Sequence, residues 1–277
     1  MVESRQAPVV KPDREAGAWR RVRNLVPMVV VAVAFVALWE LLILVIPERI
    51  WPRIFFPGPA QVANSLYSLW TGGLLFRAII ATLARLSVGF LISLVLGAIL
   101  AFLMVHFHTF GMGIQPYVLG LQTFPSIAWV PLSVIWFGFS ETALLFVTIV
   151  GSLFAVTVSF ADALRTVPPV YLKAARNMGS DGMDLILRVT VPAALPHLIS
   201  AAKIGWSFAW RSLIGAEVIF ATVGLGFLVN QGRDGLLIAQ VMAVMVVILV
   251  IGVFVDRGIF SRTQDWANRR RGLLPPG

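Results

Sequence analysis

The stretch TVPPVYLKAARNMGSDGMDLILRVTVPAALP, residues 166–196, decides how this chain is read. It is polar enough to face water, yet a long apolar segment lies on either side of it. Locally it predicts two short helices joined by a turn. Thr166 is placed to cap the first helix, and Pro168 and Pro169 fall in its opening turn, where a missing N–H costs little. Gly179 stands where that helix must end, because the left-handed conformation of a C′ residue is cheap only for glycine. Ser180 then predicts the cap of a second helix, with Asp181 and Asp184 supplying the charge sign that a helix N-terminus favours. Pro192 is expected to stop it. Two water-facing helices set between apolar segments give a soluble partner something to push on; a purely structural bridge between spans is the plainer alternative.

Composition puts the chain in a membrane. Of its residues 58% are hydrophobic and only 13% are charged, more apolar surface than a soluble core absorbs. There is no cysteine, so disulfides, thiolate metal sites and a cysteine nucleophile are all excluded. The net charge of +9 could suit nucleic acid, but the positive residues sit in the two ends and the central loop, which fits the cytoplasmic side of a membrane and its lipid better.

Taken in order, residues 1–26 are polar and basic and read as a mostly disordered tail. Residues 27–46 carry no Lys or Arg and are long enough to cross about 30 Å of hydrocarbon. A secretory signal is the competing reading, but no small-x-small cleavage site follows. In the loop after it, Val62, Leu66, Leu69 and Trp70 recur at helical spacing behind the Pro57-Gly58-Pro59 turn, which predicts an amphipathic surface helix. From Leu86 to Ser140 runs a stretch of 55 residues without Asp, Glu, Lys or Arg, too long for one span and enough for two. The break is expected at residues 106–113, where His106 and His108 read as an interfacial turn rather than a metal pair. The later span, residues 115–138, contains Pro125 and Pro131 and should be kinked, a feature tolerated where neighbours or water satisfy the freed carbonyls. Residues 142–161 predict a fourth span, residues 193–221 a fifth, and residues 235–255 a sixth, with a short polar loop at residues 230–234 and a basic tail from residue 261.

With the N-terminus inside, the cytosolic segments hold fifteen Lys and Arg and the external ones hold five, namely Arg49, Arg53, Arg77, Arg85 and Arg233. That bias places both termini and residues 166–192 in the cytosol. None of the three lysines follows a glycine, so the chain carries no Gly-Lys phosphate-binding loop. Nor does any catalytic acid–base pair stand out. The chain is not expected to be an enzyme.

The central stretch also resembles a known pattern. Lys173-Ala174-Ala175, three residues to Gly179, and nine more to Val189-Thr190-Val191-Pro192 is similar to the EAA loop of ABC-importer permeases, Glu-Ala-Ala, x3, Gly, x9, Ile-x-Leu-Pro. Ala174, Ala175, Gly179 and Pro192 match by identity, and Lys173 departs from the usual Glu. The resemblance extends over roughly residues 28–260. Phe56-Pro57-Gly58-Pro59, Phe124-Pro125-Ser126-Ile127-Ala128-Trp129-Val130-Pro131, Trp136-Phe137-Gly138, Glu141-Thr142, Trp210, Ala216-Glu217 and Gly224-Leu225-Gly226 look like the nitrate/sulfonate/taurine branch.

The resemblance implies an all-α permease of about six transmembrane helices, with a cytosolic coupling helix, in the bacterial cytoplasmic (inner) membrane. It implies two ATP-binding cassette subunits that bind ATP and Mg, an extracytoplasmic solute-binding protein and a second permease copy. Lys173, Ala174, Ala175, Arg176, Gly179, Val189 and Pro192 would form the ATPase-coupling segment, with both alanines small so that the helix seats in a groove. Phe124, Ser126, Trp129, Trp136, Trp210, Arg211 and Glu217 would line the path of a small, anionic solute. Arg211 has two readings: it pairs with Glu217 or Glu40 and holds the bundle, or it faces the path, flanked by Trp206, Trp210, Phe124 and Trp129. Lys203 is expected to snorkel to the interface. The branch also carries neutral and aromatic solutes, pyrimidine or flavin types among them. An ion-gradient transporter should show internal repeats with broken helices, and none stands out. A non-transporting scaffold would have no use for the docking helix.

Overall fold

The structure, a computed structural model, describes residues 14–50 and 52–270. The described chain is helical and divides into two compact units, residues 1–62 and 63–277. In the first, α1 (Arg14–Val45) carries Pro27 inside it, and the turn behind it is tied by an Arg53–Glu48 ion pair of 3.2 Å. The helix starts at Arg14, so the expected disordered tail is shorter than residues 1–26; its first thirteen residues lie outside those described.

Across the boundary runs α2 (Pro59–Thr71), the amphipathic helix expected from its apolar stripe; Val62 and Leu69 are buried and Trp70 is exposed. The second unit contains α3 (Leu74–His106), α4 (His108–Thr123), α5 (Val130–Phe137), α6 (Glu141–Arg165), α7 (Pro169–Asn177), α8 (Gly182–Leu185), α9 (Val191–Phe220), α10 (Leu225–Asp234), α11 (Ile238–Val255) and α12 (Ser261–Arg270). Two π-turns, Ile186–Thr190 and Asp256–Phe260, join α8 to α9 and α11 to α12 without a break. Pro192 therefore does not stop a helix: it lies directly behind the Ile186–Thr190 π-turn, inside the continuous helical run Gly182–Phe220. Residues 230–234 are the end of α10, not a loop, and the expected C-terminal tail is helical through Arg270.

Among the described residues four helical runs are long and apolar enough to cross a membrane: Leu74–His106, Glu141–Arg165, Gly182–Phe220 and Ile238–Asn268. The helices His108–Thr123 and Ser126–Phe137 are apolar enough only together and are bent by 96° where they meet, and Val29–Val45 is a shorter apolar helix. The two expected prolines act differently. Pro125 forces Phe124 into extended backbone and ends α4, whereas Pro131 sits harmlessly in the first turn of α5. The predicted kink is thus a full break, bridged by the 3-10 turn Ser126–Trp129.

α3, α6 and α9 form the centre. Lipid gives helices no hydrophobic reason to associate, so close approach through small residues must hold them. A Cβ on Gly97 would stand 2.6 Å from Val156 Cγ1, and one on Gly89 2.8 Å from Thr148 Cγ2. Between these contacts Ser152 Oγ donates to Ser93 Oγ at 2.8 Å. Around them lie one core of Leu86, Phe90, Val147 and Leu213 and another of Leu69, Leu75, Leu225 and Val244.

Candidate coupling segment and path residues

Thr166 does not cap α7. Its hydroxyl donates to the Ala163 carbonyl at 2.7 Å and closes α6, while Pro168 becomes the N-cap and Pro169 the first residue of α7. With proline there, one N–H that a side chain would have to satisfy is already missing. At the other end Gly179 adopts φ +87°, as expected. Ser180 N donates to Ala175 O at 3.0 Å and Gly179 N to Arg176 O at 2.9 Å, the two bonds of a Schellman ending. Asp181, not Ser180, is the N-cap of α8; Ser180 Oγ instead donates to Asp184, which also pairs with Arg188 at 2.6 Å.

The two alanines part company. Ala175 is only 3% exposed and faces the protein's own interior, whereas Ala174, Lys173 and Arg176 are exposed. The expectation that both alanines seat in a partner's groove is therefore corrected: a helix of nine residues shows one side outward, and Ala175 is on the other. Val170, Tyr171 and Met178 are exposed beside Ala174, with Met178 at 82%. Val189 is half-buried in the π-turn, and Pro192 is exposed on the wall of an open cleft of about 790 Å³ shared with Tyr171, His197 and Gln264.

Of the expected path residues, some come together. Phe124 and Trp129 flank the break in an edge-to-face pair with centroids 5.3 Å apart, and Trp129 and Trp136 both reach Phe146 of α6, at 6.5 and 5.5 Å. Ser126 fills the notch at Gly151, where a Cβ would stand 2.9 Å from Ser126 Cβ. Trp210 does not join them: it packs between the two cores, near Gly252 of α11. Trp206 likewise turns away, onto Phe90 at 5.4 Å and Phe260 at 6.1 Å. Neither tryptophan flanks Arg211 as expected. Arg211 is exposed on α9, donates through Nε to Ser207 O at 3.2 Å and lies 4.5 Å above the Phe208 ring. Lys203 does not snorkel freely; its Nζ is 2.7 Å from Asp256 Oδ1 in the second π-turn.

Glu217 is fully buried and belongs to a network that sequence reading missed. Arg85 Nη1 donates to Glu217 Oε1 at 2.8 Å and Gly226 N donates to Oε2 at 3.0 Å. Thr82 Oγ1 lies 2.8 and 3.0 Å from the two oxygens and accepts from Leu225 N at 2.9 Å. The other side of the Arg85 guanidinium grips Glu141, with Nη2 to Oε1 at 2.6 Å, and Nη1 also donates to the Val223 carbonyl. Arg85, counted among external loop charges from the sequence, is thus a buried side chain of α3. Since Glu217 pairs with Arg85, it is not the partner of Arg211. Because α6 runs from Glu141 towards the coupling segment and α9 from that segment to Phe220, the network lies at the opposite end of the bundle from residues 166–192. The glycine turn is part of its geometry: Gly224 has φ +145°, and a Cβ there would sit 2.5–2.6 Å from the Glu217 carboxylate. In the sequence Glu141, Glu217 and Gly224-Leu225-Gly226 stand out only as separate short motifs, and nothing there joins them to Thr82 or Arg85.

Comparison with known proteins agrees with this architecture. Residues 93–270 match the family model of the binding-protein-dependent transport system inner membrane component. A putative ABC transporter permease of Methanocaldococcus jannaschii is 30% identical over 230 residues, covering 81% of this chain and 84% of that protein. The taurine transport system permease protein TauC of Escherichia coli is 27% identical over 219 residues (74% and 77%), and the nitrate import permease protein NrtB of Synechococcus elongatus 25% over 251 (86% and 88%). In fold, the chain is similar to an inward-facing methionine ABC transporter, MetNI, with a TM-score of 0.65 at 21% identity, covering 72% of this chain and 97% of that one. The chain belongs to the inner-membrane component family of binding-protein-dependent transport systems: it is a multi-pass permease, not itself an enzyme, that works with a binding protein and a separate ATPase by which the ATP is bound.

Proposed function

We propose that this permease imports a small anion of the nitrate, sulfonate or taurine kind, along a path on the axis between two copies of the chain. The observation that carries the reading is Arg211. It is exposed on a helix long and apolar enough to span the membrane, and Glu217, the carboxylate six residues on, is committed to Arg85. A cation facing hydrocarbon costs about 2.5–3.5 kcal/mol at mid-bilayer, so a water-filled path or a partner is its reasonable surrounding. A single bundle of this size encloses little surface for a path, which favours a symmetric pair. Relatives named for taurine, nitrate and aliphatic sulfonates support the anion. In this reading α7 docks on the ATPase, both termini are cytosolic, and Phe124, Ser126, Trp129 and Trp136 line the path near the broken span.

Arg211→Gln keeps hydrogen bonding and removes the charge. Uptake of the anion by the reconstituted importer should fall about tenfold to a hundredfold, as for a lost charge-assisted contact, while the complex still assembles. Normal uptake, or a dissociated complex, would show that Arg211 does not contact the solute. A second reading has its own support: the partly exposed rings of Phe124, Trp129 and Trp136 suit a neutral aromatic solute. Uptake of such a solute would survive Arg211→Gln.

A further inference from the structure

The exposed side of α7 and the turn after it carries apolar side chains among its charges and Asn177. Val170, Tyr171, Ala174 and Met178 are open on it, and Met183 and Leu187 continue the surface beyond the turn. Its cations differ in their partners. Arg176 lies 4.0 Å from Asp181, and Arg188 is 2.6 Å from Asp184. Lys173, one residue before Ala174, has no carboxylate within ion-pair distance among the described residues.

A lone ammonium on an apolar docking surface has a definite consequence. Once a partner covers Val170, Ala174 and Met178, Lys173 loses its water, and an unpaired desolvated cation would oppose the association. Electrostatic complementarity must then come from the partner, where it also sets which partner is accepted. We infer that the ATPase subunit of this importer presents a carboxylate opposite Lys173, so that the docking groove is acidic and selects this permease by charge. The inference rests on the docking reading of α7 proposed above.

The experiment co-expresses the permease with its own ATPase subunit and measures the ATPase recovered with it in mild detergent, at low and at high KCl. Lys173 is exposed, so its replacement leaves the fold intact, which a melting curve verifies. Wild-type recovery should decline as salt rises. With Lys173→Gln it should drop about tenfold at low salt and lose most of its salt dependence. With Lys173→Glu it should drop further and improve as salt rises, because salt now screens a repulsion. Ala174→Arg, which blocks the groove by size, should abolish recovery at every salt concentration. If both Lys173 variants behave like wild type while Ala174→Arg loses the ATPase, the acidic groove is refuted and the docking reading stands. If Ala174→Arg also retains the ATPase, the docking reading itself is overturned, and the inference with it.

Discussion

Arg85 and Glu217, 132 positions apart in the chain, meet with Nη1 and Oε1 at 2.8 Å around a carboxylate that solvent does not reach. The pair ties α3 to α9, Glu141 extends it to α6, and the N–H of Gly226 extends it to the first turn of α10. Four elements are fastened at one end of the bundle, opposite residues 166–192.

Removing one member of such a network leaves the others buried and unpaired. Glu217→Ala should therefore destabilise the detergent-purified permease by about 3–5 kcal/mol, and Thr82→Val by about 1–3 kcal/mol. Replacing Arg85 and Glu217 together with methionine should cost less than Arg85→Met and Glu217→Met summed. Thermal melting checks the series; additive single changes would mean that the two residues act independently.

The glycine turn should be intolerant for a steric reason. A Cβ on Gly226 would stand 2.5 Å from Glu217 Cβ and 2.7 Å from Val218 N, and backbone cannot move aside. Gly226→Ala should destabilise by about 1–3 kcal/mol. Gly73, by contrast, has a left-handed φ of +70° but nothing within 4 Å of its would-be Cβ. Gly73→Ala should cost about 1 kcal/mol or less, the strain alone. Equal melting shifts would contradict this account.

Ala174 and Ala175 should fail in different ways. Ala175→Arg forces a charge into a buried position and should lower the melting temperature or abolish insertion. Ala174→Arg should melt like wild type yet lose stimulation of the ATPase by loaded binding protein. Stability assays alongside ATPase assays separate them, and the reverse pattern would invert the assignment of the two helix faces.

The Lys203–Asp256 pair should contribute little by itself. Both side chains are about two-fifths exposed, and such pairs stabilise by about 0.2–1 kcal/mol, less in high salt. Asp256→Asn should shift melting only slightly at low salt and not at all at high salt. A large shift would mean that the pair is shielded from water in the assembled importer.

Local chemistry made much of this protein legible in its sequence. Runs of apolar residues mark helices of membrane length because bilayer thickness fixes how many residues must be unbroken. Gly179 ends α7 through its own backbone freedom, and Pro125 breaks its span through its own ring, so neither needs distant residues to act. The turn at Gly179 separates α7 from the helical run that begins with α8 for the same reason. Everything that depends on which residues meet was decided only in three dimensions. Thr82 and Arg85 share α3, but Glu141, Glu217 and Gly226 lie on three other elements, and no periodicity links them to α3 or to one another. Arg85 read as a loop charge because its sequence neighbourhood cannot show that Glu217 awaits it across the bundle. Pro192 looked like a helix stop, yet behind the Ile186–Thr190 π-turn the helical run continues through the same ring. Even the adjacent Ala174 and Ala175 look alike in sequence, and only packing against the rest of the chain turned one inward and left the other exposed.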